Sequence, residues 1–194
     1  MRHQSQARII NIVSFGGKVA VPHLLPYSAS KFALAGLSQG LRVELARTGV
    51  KVTTVFPGLL RTGSAGNAFF KGQNRAEYAW FSLGASAPGL SLSADVAARC
   101  LLEASRRGDA EIVLGLVTKM ATTSHALFPK TTTWVLGLAN QLLPDPGGIG
   151  AKRALGRHSG SALSPSLLTL LGDRAARRNN EVSGTTRPER SAAA

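Results

Sequence analysis

Apolar residues follow two rhythms along this chain. Residues 8–14, RIINIVS, form a continuous apolar, β-branched run, which predicts a buried strand of the parallel-sheet kind. A Gly- and Pro-bearing loop, FGGKVAVPHLL, follows it. Over 26–47 the spacing changes. Leu34, Leu37, Leu41 and Leu45 recur at three and four, the apolar stripe of a helix. Gly49 lies just past its end, where a left-handed cap is expected. VKVTTVF, 50–56, predicts a second buried strand, stopped by Pro57-Gly58.

Residues 57–92 read as loop-rich, broken by Gly63, Gly66, Gly72, Gly84, Pro88 and Gly89. Five aromatic residues lie within it: Phe69, Phe70, Tyr78, Trp80 and Phe81. Ser93 is placed to cap a helix over 94–107, with Asp95 in its first turn. EIVLG, 111–115, predicts a short third strand. Residues 116–142 read as a mostly apolar helical stretch interrupted by Pro129. From 143 to 194 the composition turns to Gly, Ser, Arg and Pro, which predicts a disordered tail.

Strand and helix in alternation predict an α/β fold with a parallel sheet of about three strands, folded over 1–142. A strand that reads as fully buried at residue 8 implies a neighbour beyond it, from further sequence or another chain.

Charge and cysteine content narrow the setting. The chain has 194 residues and a formal net charge of +13, with +8 over 1–150 and +5 over 151–194. Such a charge can attract phosphates, nucleic acid or anionic lipid without specificity, and the preferred reading is a basic surface with no dedicated partner. No recognition motif or aromatic–basic platform accompanies it, so nucleic acid is not an expected partner. The single cysteine, Cys100, excludes an intrachain disulfide and reads as a structural thiol within a helix. A reducing compartment suits that, and a cytoplasmic location is expected. The polar start, MRHQSQARII, does not read as a signal peptide, and no apolar run reaches the roughly 20 residues of a membrane span. Residues 116–142, with Trp134, Lys119 and Lys130, are compatible with a membrane surface; packing on the sheet or at a subunit contact is the preferred reading.

The chemistry lies near the strand ends, where open parallel sheets bind ligands. Ser14 ends the first strand and Pro57-Gly58 the second. Tyr27 and Lys31, in PYSASKFAL, stand one helical turn apart and point the same way. An ammonium beside a phenol favours the phenolate, and a phenol so tuned can exchange a proton with a carbonyl oxygen. A serine hydroxyl alongside can hold that oxygen. No metal-ligand set is expected.

Taken together, INIVS, YSASK and VFPGLLRT resemble the short-chain dehydrogenase/reductase family, from about Arg8 to at least Leu114. The resemblance implies a partial Rossmann-type sheet and hydride transfer between NAD or NADP and a carbonyl/alcohol pair. It implies Tyr27 as general acid/base, Lys31 as the group that favours its phenolate and holds the nicotinamide ribose, and Ser14 as the group that positions substrate. Phe15 is a further substrate contact by the same reasoning. Pro57 and Gly58 would lie against the nicotinamide, with Leu60 and Thr62 at its carboxamide or the nearby phosphate. The segment 63–90 would be the substrate loop, its aromatic residues pointing to an apolar substrate or else to packing. Family members often form dimers or tetramers on the helix that holds the tyrosine, so a homo-oligomer is expected.

The family's Gly-rich nucleotide turn, its NAD/NADP-selecting residue and its relay asparagine belong before the position of Arg8. The chain is therefore expected to be a carboxyl-terminal portion, a truncated gene model or a split product, that binds the adenosine half of a dinucleotide poorly. A second reading makes it a non-enzymatic fragment or pseudo-enzyme serving as a partner-binding or membrane-surface module.

Overall fold

Three parallel strands and the helices that connect them position everything else. The computed structural model describes residues 7–144, 153–161, 164 and 166–181. β1 (Arg8–Ile12) leads through a 3-10 turn at Phe15–Gly17 into α1 (Leu25–Glu44). A second 3-10 turn, Ala46–Thr48, ends at Gly49, whose φ of 77° supplies the expected left-handed cap before β2 (Lys51–Pro57). β3 (Leu59–Arg61), α2 (Ser64–Asn67), β4 (Phe69–Lys71), α3 (Asn74–Ser86) and β5 (Ser91–Ser93) follow. Next come α4 (Ala94–Arg107), β6 (Glu111–Leu114), α5 (Leu116–Leu127) and α6 (Pro129–Asn140). β7 (Arg153–Leu155), a 3-10 turn at Gly156–His158 and α7 (Leu170–Arg178) complete the described elements.

The main sheet runs β1-β2-β6, all parallel, with Ile12 level with Val55 and Val55 level with Ile112. This is the α/β arrangement that the alternating pattern predicts. β2 is central and buried from Val52 to Pro57. β1 is not the fully buried strand expected: Arg8 is exposed and Ile12 is 55% exposed. Among the described residues it has a strand on one side alone, and only strands flanked on both sides are shielded along both edges.

The face that α1 turns inward also differs from the leucine stripe. Its buried residues are Ser28, Ala35 and Ser38, while Leu37 is 58% exposed. Leu34 packs at the margin of a cluster of Val13, Ala35 and Phe56. Small side chains let the helix lie close to β2, and the contact is polar. Ser38 Oγ lies 2.6 Å from Thr54 Oγ1, and Asn11 Nδ2 donates to Ser38 Oγ at 2.9 Å. Farther along α1, Arg42 donates to the carbonyls of Val52 and Gly108, tying the helix to β2 and to the turn before β6.

On the other face, α4 covers the sheet through Val55, Ala97 and Leu114, with Cys100 partly buried at the edge of that cluster. Ser93 caps α4 as expected, its hydroxyl accepting from the Val96 N–H at 3.4 Å.

Two further expectations are corrected. The segment 57–92 is not mainly loop. NRAEYAWFSLGAS forms the 13-residue helix α3, because the glycines stand mostly outside it and the run contains no proline. Nor is the region from 143 a tail throughout. β7 pairs antiparallel with β4, and α7 packs on α3 and β3. Amphipathic spacing in LLGDRAARR buries Ala176 despite the arginines. Residues 182–194, the end of the predicted disordered stretch, lie outside the described residues.

Removing the Ser38 hydroxyl leaves Thr54 and Asn11 short of a buried partner. Ser38→Ala is expected to cost about 1–3 kcal/mol in urea unfolding. Leu37→Ser, one residue away but exposed, is expected to shift stability by no more than about 0.5 kcal/mol in the isolated chain.

Candidate functional site

The carboxyl ends of β1 and β2 open on the same side of the sheet because the strands are parallel. The Val13 N–H donates to the Val55 carbonyl at 2.8 Å, and continuing the Ile12–Val55 register by two residues sets Ser14 level with Pro57. Ser14 is extended and caps the turn Phe15–Gly17, its Oγ accepting from the Gly16 N–H at 3.1 Å. A serine hydroxyl that accepts in this way keeps its own O–H free to donate.

Tyr27 packs its ring edge over that turn. A Cβ built on Gly16 would stand 3.0 Å from Tyr27 Cε1, and one on Gly17 would stand 2.8 Å from the Lys31 carbonyl oxygen. The two glycines thus let α1 approach the β1 exit, which accounts for Gly16-Gly17 through packing. Ser28 secures the start of the helix by accepting from the Val21 N–H at 3.1 Å. Lys31 Nζ lies 5.6 Å from the centroid of the Tyr27 ring, a cation–π distance. Lys31 forms no ion pair among the described residues, and Tyr27 is 40% exposed. Ser14, Tyr27 and Lys31 are therefore grouped around one turn. Phe15 is part of that turn and partly exposed, its carbonyl accepting from the N–H groups of Lys18 and Val19.

At the end of β2, Pro57 is buried and Gly58 is crossed by Thr118 of α5, so closely that a Cβ on Gly58 would collide with the threonine hydroxyl. Leu60 lies in the β3–β5 ladder opposite Leu92, and its side chain packs at the Val55–Ala97–Leu114 cluster. The Thr62 hydroxyl is 2.9 Å from Ser64 Oγ, and the neighbouring Gly63 N–H donates to the Glu181 carboxylate. Leu60 and Thr62 are thus held by their own strand and by α2.

The segment 63–90 closes on this region through a contact that sequence reading missed. His23 Nδ1 donates to Glu77 Oε1 of α3 at 2.6 Å, four residues ahead of Tyr27. His23 has a φ of 63°, a left-handed conformation uncommon for a side-chain-bearing residue. Of the aromatic residues in the segment, Phe70, Tyr78 and Phe81 pack on one another, with centroids 5.8 and 6.1 Å from Phe70. Phe69 and Trp80 stay exposed, Phe69 beneath the Arg153 guanidinium at 4.8 Å. Thr118 was equally invisible, an ordinary residue inside an apolar helical pattern. Nothing in the sequence pairs His23 with Glu77 or Thr118 with Gly58.

Comparison with known proteins agrees with this geometry. The family model for short chain dehydrogenases matches residues 1–71. A Streptomyces violaceoruber protein provisionally named granaticin polyketide synthase ketoacyl reductase 1 is 51% identical over 65 residues, 34% of this chain and 24% of that protein. A dehydrogenase/reductase SDR family protein 7-like of Anopheles gambiae is 31% identical over 137 residues, 70% of this chain and 42% of that protein. The crystal structure of a short chain dehydrogenase from Burkholderia cenocepacia J2315, in complex with NADP, superposes with a TM-score of 0.53 at 25% identity, over 68% of this chain and 47% of that one. The chain is thus similar to the short-chain dehydrogenase/reductase family, by its family model over residues 1–71 and by the Anopheles and Burkholderia relatives over about 70% of its length. It spans between 24% and 42% of the length of these curated relatives.

The Thr118 contact yields a direct test. Gly58→Ala is expected to destabilise the fold by about 1–3 kcal/mol through overpacking. In a Thr118→Ala background the same change should cost less than half as much, measured as a double-mutant cycle in chemical denaturation.

Proposed function

We propose that this chain carries the hydride-transfer end of an NAD(P)-dependent oxidoreductase acting on a carbonyl/alcohol pair of a small molecule. The observation that carries the proposal is the grouping of Ser14, Tyr27 and Lys31 around the turn after β1, beside Pro57-Gly58. A nicotinamide cofactor, when bound, supplies or accepts the hydride. The residues fit that end of it: Ser14 and Tyr27 bring two hydroxyl groups to one turn, and Lys31 has an ammonium with no carboxylate partner among the described residues.

In the reducing direction the Tyr27 O–H gives its proton to the substrate oxygen as the carbonyl becomes an alcohol. In the oxidising direction the phenolate takes that proton back. The Ser14 hydroxyl donates to the same oxygen and fixes its place. Lys31, whose ammonium lies 5.6 Å from the Tyr27 ring centroid, would offer donors to the ribose hydroxyls. Pro57 and Gly58 would lie against the nicotinamide, with Leu60 and Thr62 toward its carboxamide or the nearby phosphate and Phe15 toward the substrate. NADP is the first form to test, because the Burkholderia relative was solved with it. The exposed apolar residues of α1, Leu25, Phe32, Leu37 and Val43, support association of two copies along this helix.

Two measurements test the reading. In carbonyl-dependent oxidation of NADPH or NADH, Tyr27→Phe should lower turnover by about 10²–10⁴-fold with little change in cofactor affinity. Unchanged turnover in that variant would remove Tyr27 from its role. In saturation-transfer NMR, nicotinamide mononucleotide should bind the chain and adenosine monophosphate should not, and Lys31→Ala should weaken the nicotinamide signal.

A further inference from the structure

α5 and α6 form a hairpin that stands away from the body of the protein. α6 packs chiefly on α5 and has no buried residue, and in α5 only Thr118 is buried. Of the two parts of the preferred reading of 116–142, packing on the sheet does not hold for α6, and a subunit contact is the other occupant to be weighed. The exposed surface is apolar along both helices and at the apex. Leu127 and Phe128, at the junction of the helices, are 66% and 63% exposed, and Trp134 on α6 is 68% exposed. Leu116 and Met120 continue the surface along α5, and Leu138 along α6.

The charge on this surface has one sign. No carboxylate occurs between Glu111 and Asp145, and the ionisable side chains there are Lys119, His125 and Lys130. Lys119 is exposed beside Met120, and Lys130 stands one helical turn before Trp134. Pro129, Lys130, Thr133 and Trp134 line a shallow depression of about 500 Å³ at the start of α6. An aromatic ring and an ammonium side by side suit a boundary that is apolar below and anionic above. Each helix has 12 residues. That makes each about 18 Å long, short of the roughly 30 Å of hydrocarbon in a bilayer. The hairpin can lie in such a boundary and does not cross it.

We propose that the α5–α6 hairpin docks on the surface of an anionic lipid bilayer, apex first. Leu127, Phe128 and Trp134 enter the boundary of headgroups and acyl chains, and Lys119 and Lys130 meet the anionic headgroups. A second copy of the chain is the poorer occupant. It carries +13 overall, and its own hairpin offers no carboxylate to these lysines. The proposal does not depend on the chemistry of Tyr27.

The test uses the full chain with Trp80→Phe, which leaves Trp134 as its sole tryptophan. Vesicles of phosphatidylcholine alone are compared with vesicles of about 3:1 phosphatidylcholine and phosphatidylglycerol. The chain should sediment with the anionic vesicles only, with a blue shift of Trp134 emission. Lys119→Gln and Lys130→Gln should each weaken binding about fivefold. Phe128→Ser, at an exposed position, should abolish the blue shift while circular dichroism stays unchanged. Absence of binding overturns the proposal. So does binding with unchanged Trp134 emission, which would assign it to diffuse charge elsewhere. A concentration-dependent dimer in light scattering, broken by Phe128→Ser and unaccompanied by vesicle binding, would give the face to a second copy.

Discussion

Ser38 and Thr54 share a short hydrogen bond where α1 crosses the central strand, and the rotation of the helix about its own axis follows from it. Lys31 lies seven residues before Ser38 and Tyr27 eleven before it. At 3.6 residues per turn these are nearly two and three whole turns, so all three residues share one face. Once Ser38 is buried against β2, Lys31 and Tyr27 must look toward the strand ends. A leucine at position 38 would push the helix away from the sheet and lose the polar contact that sets its angle. The small residues of α1 thus do for orientation what its leucines do not.

The same economy of volume shapes the rest of the site. Gly16 and Gly17 leave room for the tyrosine ring and for the backbone of α1, and Gly58 leaves room for Thr118. A tyrosine ring, a helix backbone and a threonine side chain each sit where a Cβ would otherwise stand. The longer-range ties are polar: Arg42 to the turn before β6, His23 to Glu77, and Glu181 to Gly63. Each joins elements far apart in sequence.

Local pattern reveals the elements whose causes are local. The β-branched run at β2, the serine cap of α4 and Gly49 were all legible, and so was the spacing of Ser14, Tyr27, Lys31 and Pro57-Gly58. What stayed hidden was set by distant partners. β1 reads as buried because burial depends on a neighbour that its own residues cannot report. α3 was obscured by glycines that flank it more than they interrupt it. β4 and β7 become strands only by pairing with each other. The inner face of α1 was misread because the leucine stripe is the stronger signal, although close approach to β2 selects for small side chains.

Thr118 belongs to two structures at once: it sits against Gly58, beside the proposed nicotinamide end of the site, and it lies in the first turn of the hairpin's first arm. Position and orientation are therefore shared. A hairpin seated in a lipid boundary holds the opening beside Tyr27 at a set height and angle above it. Substrate would then be sampled from a thin layer instead of from bulk water, and selectivity would come partly from how a molecule partitions and lies in that layer. The depth of the hairpin, more than the shape of the pocket, would decide which carbonyls arrive.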